Sequence, residues 1–300
     1  MKFDKPKHHP SAAALTLRES PNKALGVIVK NFEDPFFGHM IGEVQALAWA
    51  KHYTLILTGR VPRKGQEVDL TCLLMGHLDG VIVAGSDFEP EGLDAFTSRG
   101  IPIVQIGTGR RRKGIFRVCM DQKFGLDQLV NYLKTLGHHD IGYIGDDTPS
   151  NLRREEILRA ILRSHDLAIR PNAFVRVPAQ EMGTGYEAMQ ALCRQCGELL
   201  PSAVIAANDV IAQAALRALF EKRITVPDDL SLAGVDDIPS ASMTLPALTT
   251  LRQPIPDMVS EAFQLLTGHT AKSKPRAATE LVVKPELIVR ESCAAPRARK

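Results

Sequence analysis

The sequence predicts a doubly wound α/β fold with parallel sheets, because short apolar runs alternate with longer amphipathic segments. Continuous apolar runs indicate strands that are covered on both faces by helices. The segments between them carry apolar residues at helical spacing, for example Phe37, Ile41, Val44 and Ala48. The predicted strands are Leu25–Val29, Thr54–Leu57, Gly80–Val83, Pro102–Ile106, Ile141–Ile144, Phe174–Val177, Ala203–Ala206 and Ser231–Val235.

So many strands indicate two sheets, and we predict two Rossmann-like subdomains. The chain divides near Gly137, where a glycine ends one helix before the next strand begins. A second boundary is predicted near Gln253, before a helix over Asp257–Leu266, and the last strand is Glu280–Val283 or Leu287–Val289. The predicted organisation is a linker over residues 1–23, a first subdomain over 24–137 and 254–276, a second subdomain over 138–253 and 277–291, and a loose tail over 292–300.

The composition excludes several classes of protein. With 300 residues and 44% hydrophobic side chains, the chain is long enough for two domains with a sizeable core. Its five cysteines are odd in number and scattered, which favours a reducing cytoplasm over a disulfide framework. Cys193-x-x-Cys196 has no second pair beside it, so no metal or cofactor is predicted. No segment resembles an export signal or a membrane span.

Polar residues that follow the predicted strands are the candidate ligand-binding residues. In open parallel sheets, ligands bind beyond the carboxyl ends of the strands. The candidates are Asn31 and Asp34 after the first strand, Asp121 after a strand over Phe116–Cys119, Arg154 after Ile141–Ile144, Asn208 after Ala203–Ala207, and Asp236 after Ser231–Val235.

Two of these candidates have a structural alternative. Asp236 directly follows a buried strand and is assigned to the ligand, although Asp236 or Asp237 can instead cap the next turn. The helix that starts at Val210 needs an N-cap, which either Asn208 or Asp209 can supply. We assign capping to Asp209 and ligand binding to Asn208.

The candidate arginine also has a rival. Arg154 begins a predicted helix, and its guanidinium can donate two parallel hydrogen bonds to a carboxylate or to a pair of hydroxyls. Arg153 stands next to it, and either arginine can instead pair with Glu155 or Glu156 on the helix surface.

Three aromatic residues are candidates for lining a pocket. Phe37 shares an apolar stripe with Ile41, which predicts core packing, whereas Phe36 lies off that stripe and is freer to face a cleft. Phe124 is either a lining residue or an ordinary buried one.

A set of short sequence blocks carries a family resemblance. The blocks are Gly26-Val-Ile-Val29, Asp34-Pro-Phe-Phe37, Leu136-Gly-His138, Ile141-Gly-Tyr-Ile-Gly145, Ala206-Ala-Asn-Asp209, Val226-Pro-Asp-Asp-Leu-Ser231, Gly234-Val-Asp-Asp237 and Pro246-Ala-Leu-Thr-Thr250. In order and spacing, over about residues 10–291, they resemble the LacI/GalR family of bacterial transcription regulators. The resemblance implies two subdomains of the periplasmic-binding-protein-like type I fold, joined by three crossovers, with a ligand in the cleft between them. It also implies a homodimer.

The resemblance extends to individual residues of the cleft. It places Asp236 and Arg154 at ligand-binding positions and the two phenylalanines Phe36 and Phe37 at the pocket wall. Gln180 falls where several relatives carry an aromatic side chain that stacks on the effector. Glutamine there adds hydrogen-bonding capacity.

The segment Ser11–Leu17 resembles the hinge helix of this family. The resemblance implies that Ala14 permits close approach of a paired helix and that Leu17 inserts into the DNA minor groove. It also implies that Arg18 contacts a phosphate. Because so short a helix is marginal alone, a flexible linker is the alternative. The family's helix-turn-helix head would precede Pro10, where the sequence has nine residues.

Carboxylate, amide and guanidinium groups beside aromatic faces suit a polyhydroxylated ring. The predicted function is a transcriptional repressor whose cleft binds a sugar or sugar-like effector and controls operator DNA binding through the hinge. The alternatives are a sugar-binding receptor and a free sensor without DNA-binding activity. An enzyme is not predicted, since G-x-G-x-x-G after a strand, G-x-x-x-x-G-K-[ST] and G-x-S-x-G are absent. The basic run Gly109–Lys113 is predicted to be a solvated loop rather than a nucleic-acid contact.

Overall fold

The computed structural model describes residues 23–60, 68–179, 183–268 and 280–297, which form two lobes around two six-stranded sheets. The first sheet has the strand order β11-β5-β4-β3-β1-β2, all parallel. Its strands are β1 (Ala24–Val29), β2 (Thr54–Gly59), β3 (Gly80–Ala84), β4 (Ile103–Ile106), β5 (Ile115–Met120) and β11 (Glu280–Val283).

The second sheet has the order β12-β10-β9-β8-β6-β7. Its strands are β6 (Ile141–Asp146), β7 (Phe174–Val177), β8 (Ala203–Ala206), β9 (Ser231–Asp236), β10 (Thr249–Arg252) and β12 (Glu286–Ile288). Five of these are parallel, and the edge strand β12 runs antiparallel to β10. The predicted fold class of two helix-covered, mainly parallel sheets is confirmed.

Helices connect most successive strands and cover the sheets. They are α1 (Pro35–Ala50), α2 (Thr71–Leu74), α3 (Asp94–Ser98), α4 (Gln122–Thr135), α5 (Pro149–Ser164), α6 (Thr184–Cys196), α7 (Asp209–Glu221) and α8 (Ile255–Thr267). The start of α1 shows how the sequence sets a helix end: Pro35 occupies the first turn and the Asp34 carboxylate accepts a hydrogen bond from Phe36 N. No helix within the described ranges is both long and apolar enough to span a membrane.

The chain passes between the two sheets three times, as predicted. The crossovers follow β5 and β10 and connect β11 to β12. Because the first crossover directly follows Met120, helix α4 lies in the second lobe, where it packs against α5, β10 and β12. A Cβ on Gly125 would meet Pro285 and Leu251, which shows how closely α4 approaches this lobe.

The predicted boundary at Gly137 is therefore wrong. Gly137 does end the turn after α4, with a φ of 99° that favours glycine. A glycine stop marks where a helix ends, but the sheet on which the helix packs is decided by long-range contacts. The first lobe accordingly ends its first segment near Asp121 instead of residue 137.

Two predictions near the C-terminus are also corrected. Strand β11 pairs with β5, so residues 280–283 belong to the first sheet and not to the second subdomain. The predicted loose tail is wrong for residues 292–294, because Ser292 is fully buried, Cys293 is nearly so and Ala294 hydrogen-bonds with Ser231. The Ser292 hydroxyl donates to Leu232 O and accepts from Thr249 N, which satisfies backbone groups at the edge of β9 and β10. The predicted linker over residues 1–23 lies outside the described residues apart from Lys23.

Candidate functional site

A cleft of about 750 Å³ lies between the lobes, at the carboxyl ends of the parallel strands. Seven of the predicted ligand-binding residues line it: Asn31, Asp34, Phe36, Phe37, Arg154, Asn208 and Asp236. The structure thus brings together residues that are up to 205 positions apart in the chain. Contact of these residues with a ligand stays a prediction.

Both phenylalanines form one wall of the cleft. Phe36 and Phe37 are 9% and 7% exposed, and their rings meet edge to face with centroids 5.2 Å apart. We predicted that Phe37 packs in the core and that Phe36 faces the cleft. In the structure both side chains pack in the core and line the cleft, so they differ little. Asp34 holds them in place because its carboxylate accepts from Phe36 N at 2.9 Å. Burial raises the pKa of Asp34 above its usual value.

Asp236 is a buried carboxyl group at the end of β9, and it faces the cleft. Its Oδ1 accepts a hydrogen bond of 2.6 Å from the Gln253 side chain. Burial raises the pKa of the Asp236 carboxyl well above its usual value, and the positive charge of Arg154 partly opposes this shift. The neighbouring Asp237 turns away and pairs with Arg252 and Arg290 at 2.7 and 2.6 Å.

The two neighbouring arginines point in different directions. Arg154 is 7% exposed and donates to Ala207 O from within the cleft wall, while its Nε has no hydrogen-bond partner among the described residues. Arg153 instead reaches the other lobe, where its Nη2 lies 2.6 Å from Asp87 Oδ2 and 2.9 Å from Thr108 Oγ1. Neither arginine pairs with Glu155, because the Glu155 carboxylate pairs with Arg159 and Arg176.

The structure gives the capping role to Asn208 and not to Asp209. Asn208 is the N-cap of α7, with its Oδ1 accepting from Ile211 N at 2.8 Å. Asp209 is fully buried and accepts from Thr250 Oγ1 at 2.6 Å and from Ile238 N at 3.0 Å. The prediction that Asp209 caps the helix is therefore wrong. Asn208 lines the cleft with an amide nitrogen for which the described part of the chain offers no partner.

Two predicted residues do not line the cleft. Asp121 caps α4 by accepting from Phe124 N at 3.0 Å, and Phe124 lies under the ammonium group of Lys284, 4.8 Å from it. Both residues follow β5, where the chain crosses into the second lobe. The helix that follows β5 therefore packs on the second sheet and not on the first. Gln180 and the hinge residues Ala14, Leu17 and Arg18 lie outside the described residues.

The cleft also contains polar residues that were not predicted. Lys30 follows β1 and donates to Ser86 O at 3.0 Å, and burial lowers its pKa despite nearby carboxylates. Asp146 ends β6 and accepts from Thr148 N and Asn151 Nδ2 at 2.9 and 2.8 Å. The rule applied to the other candidates, a polar residue directly after a strand, would have found both. Further lining residues are Glu33, Arg60, Ser150, Thr184, Gln213 and Gln253.

Charges of both signs are mixed along the walls. The cations are Lys30, Arg60 and Arg154, and the carboxyl groups are Glu33, Asp34, Asp146 and Asp236. No group of histidine, cysteine or carboxylate side chains that could hold a metal ion occurs in the ranges that the structure describes. The cleft therefore offers donors and acceptors in near balance over an aromatic wall, which suits an uncharged ligand with many hydroxyls.

Two lobes with parallel sheets, three crossovers and a polar cleft between them define a periplasmic-binding-protein-like ligand-binding domain. The family model described as "Periplasmic binding protein-like domain" matches residues 130–293. The chain belongs to the LacI/GalR family of transcriptional regulators within this class.

Sequence and structural relatives support this membership. The chain is 32% identical over 292 residues to "HTH-type transcriptional repressor PurR" of Pectobacterium atrosepticum, covering 96% of this chain and 84% of that protein. The structure of a LacI transcriptional regulator from a Rhodococcus species is 26% identical with a TM-score of 0.77, covering 92% of this chain and all of the other. A LacI family regulator from Mycobacterium smegmatis is 29% identical with a TM-score of 0.75, covering 91% of this chain and 100% of the other.

Proposed function

We propose that this chain is the effector-binding part of a transcriptional repressor and that its cleft binds a sugar or sugar-like molecule. The observation that carries the proposal is the convergence of Asp236 and Arg154 with the aromatic wall of Phe36 and Phe37 in one cleft of about 750 Å³. Carboxyl and guanidinium groups bind pairs of hydroxyls, while the C–H face of a sugar ring packs on phenyl carbon. A cleft of this size holds a mono- or disaccharide.

The proposal assigns each group a partner on the ligand. Asp236 Oδ1 is engaged by Gln253, which leaves Oδ2 for a ligand hydroxyl, and the Arg154 guanidinium, which lines the cleft, donates to a ligand oxygen. The amide nitrogen of Asn208 supplies a further donor at the start of α7. A ligand with hydroxyls on adjacent ring carbons meets these donors and acceptors together.

Effector binding is proposed to reach DNA through residues 11–18. The effector favours one arrangement of the two lobes in a homodimer, and the spacing of the two hinge segments then changes the fit of Ala14, Leu17 and Arg18 on operator DNA. An effector shifts this equilibrium only through unequal affinity for the two arrangements. In this proposal the protein acts in the cytoplasm and catalyses no reaction.

A thermal-shift screen against sugars, polyols, nucleosides and purines tests the effector class. An effector at about 100 times its Kd stabilises the folded state by about 2.7 kcal/mol, so a sugar hit raises the melting temperature by several degrees. Asp236→Asn should remove most of that rise. The matched control is Asp166→Asn, which neutralises an exposed aspartate of the same lobe outside the cleft.

Each failure has a separate meaning. Stabilisation by purines or nucleosides alone would show that the sugar class is wrong, and its loss in Asp236→Asn would still place the binding site in the cleft. A sugar hit whose effect survives Asp236→Asn would show that the sugar binds elsewhere.

A further inference from the structure

A lysine of the cleft and an arginine outside it hold the same short loop of the first lobe. The loop comprises residues 85–88 and follows β3 at the carboxyl edge of the sheet. Lys30, which lines the cleft, donates to Ser86 O at 3.0 Å. Arg153 of the second lobe pairs with the next residue, since its Nη2 lies 2.6 Å from Asp87 Oδ2.

Further contacts fix this loop in place. Gln105 is buried and donates to both Gly85 O and Phe88 O at 3.2 Å, which ties the two ends of the loop to β4. A Cβ on Gly85 would lie 2.6 Å from Lys30 Cβ, and the φ of Gly85 is 140°, a value that favours glycine. The loop therefore packs directly on the Lys30 side chain.

The second acceptor of Arg153 is tied to the same loop. The Thr108 N–H donates to Ser86 Oγ at 3.0 Å, and the Asp87 N–H donates to Thr108 O at 2.7 Å. Thr108 Oγ1 in turn lies 2.9 Å from Arg153 Nη2. A displacement of Ser86 would therefore move both acceptors of the arginine together.

Lys30 has hydrogen-bonding capacity left for a ligand. An ammonium group has three N–H donors, and Ser86 O takes one of them. Asp87 and Asp146 attract the charge of Lys30, and Asp146 belongs to the opposite lobe. The remaining N–H groups can therefore donate to an oxygen of a molecule bound in the cleft.

We propose that Lys30 is a positioning residue that couples the cleft to the bridge formed by Arg153. By holding Ser86, it keeps Asp87 and Thr108 within reach of the arginine. An effector oxygen that accepts from Lys30 fixes the ammonium group and so strengthens the bridge, and by linkage the bridge raises the affinity for that effector. The effector part of this inference rests on the proposed function.

A purely electrostatic role of Lys30 predicts the opposite effect on the bridge. A cation near Asp87 competes with Arg153 for the carboxylate, so loss of the lysine charge alone would tighten the bridge. In the proposal, loss of Lys30 frees Ser86 and loosens the bridge. The sign of the effect therefore distinguishes the two roles.

Amide hydrogen exchange tests the link between Lys30 and the bridge without any effector. The amides of Asp87 and Thr108 report on the loop, because both donate within it or to it. Their exchange rates are measured by NMR under conditions where exchange reports the free energy of local opening. The proteins compared are the unaltered chain, Lys30→Met, Arg153→Ala and the double variant.

We expect Lys30→Met and Arg153→Ala each to speed exchange at both amides by about tenfold, because each removes a hydrogen bond from a charged donor. The double variant should exceed either single variant by less than about threefold, since both act on one unit. The control is Lys134→Met, which loses a bond of the same kind, from Nζ to His165 O at 2.9 Å in the second lobe. It should change these rates less than about twofold. Slower or unchanged exchange in Lys30→Met, or effects that multiply in the double variant, would overturn the inference.

The effector screen separates the coupling from the proposed function. At saturating concentration, the sugar with the largest thermal shift should slow exchange at Asp87 by about fivefold or more in the unaltered chain, but much less in Lys30→Met. Equal slowing in the two proteins would overturn the coupling and leave the sugar proposal intact. If no compound binds, the proposed function and the effector part both fail, and the exchange rates of the variants still decide whether Lys30 holds the bridge.

Discussion

At the scale of single residues, Asp209 is a carboxyl group that the cleft does not use. It is fully buried beneath the β9 end, where Thr250 Oγ1 and Ile238 N donate to its two oxygens. Gly234 makes room for it, since a Cβ at that position would lie 2.1 Å from Asp209 Oδ1. This aspartate thereby fixes the backbone directly after Asp236.

The buried state of Asp209 predicts a decline of stability with rising pH. Burial raises its pKa from 3.8 to about 7, so the folded protein binds this proton more tightly than the unfolded chain. The stabilising contribution is complete below pH 3.8 and is lost as the pH rises to about 7. At about 1.4 kcal/mol per pKa unit the loss is on the order of 4 kcal/mol.

Asp209→Asn should flatten this decline, because the amide has no proton to lose. Urea unfolding at several values between pH 5 and 8 gives the free energy of unfolding for both proteins. The amide can accept from Ile238 N and donate to the Thr250 hydroxyl, so the variant should fold. Parallel pH profiles for the two proteins would contradict the assignment to Asp209.

Residue-level inference from sequence located several residues that line the cleft, but it failed at Asp121, where the chain changes lobe, and where two neighbours satisfy the rule equally. The rule of polar residues after strands found Asp34, Arg154 and Asp236. It could not decide between Asn208 and Asp209, because both side chains are good N-caps. The roles are decided by a distant contact: the Thr250 hydroxyl, 41 positions away, donates to the buried Asp209 carboxylate and keeps it away from the helix end.

At the scale of elements, the start of α7 combines a helix cap with a proposed ligand contact. Asn208→Ala should lose both functions, with about 1 kcal/mol of stability lost along with the cap. Asn208→Asp should keep the cap, and its stability should stay within about 0.5 kcal/mol. It should still bind a sugar hit several-fold more weakly, because a carboxylate replaces the amide donor.

Urea unfolding and isothermal titration calorimetry separate the two roles of Asn208. Retained stability with weakened effector binding in Asn208→Asp is the expected combination. Unchanged effector affinity in both variants would restrict Asn208 to capping.

Most strand positions were predicted, but the helix predicted to begin at Arg154 begins at Pro149, strand β10 was not predicted, and the lobe to which some elements belong was predicted less well. The apolar runs and helical stripes located the strands, because burial on a parallel sheet requires them. The lobe to which α4 and β11 belong could not be predicted, since it depends on contacts such as Gly125 with Pro285 and the pairing of β11 with β5. These contacts join residues more than 150 positions apart and leave no local pattern.

At the scale of the whole molecule, Arg153 joins the two lobes across the cleft. It stands on α5 in the second lobe, and its Nη2 bridges Asp87 and Thr108 of the first lobe. The Asp87 backbone N–H in turn donates to Thr108 O at 2.7 Å, which presents both acceptors together. Since none of the three residues lines the cleft, the bridge stabilises one lobe arrangement without touching the proposed effector.

Arg153→Ala should therefore weaken the binding of every effector by the same factor. If effectors bind only the bridged arrangement, loss of the bridge lowers the fraction of molecules that can bind. Each apparent Kd then rises by about threefold to tenfold, and the ranking of effectors by affinity does not change. A double-mutant cycle with Asp87→Ala should give a coupling energy of about 0.5–1.5 kcal/mol. Arg297→Ala, which breaks an exposed ion pair of 2.7 Å with Asp228 within the second lobe, is the control and should leave all affinities unchanged. A changed order of effector preference would instead make Arg153 a ligand contact, and a coupling energy near zero would remove its role in holding the lobes.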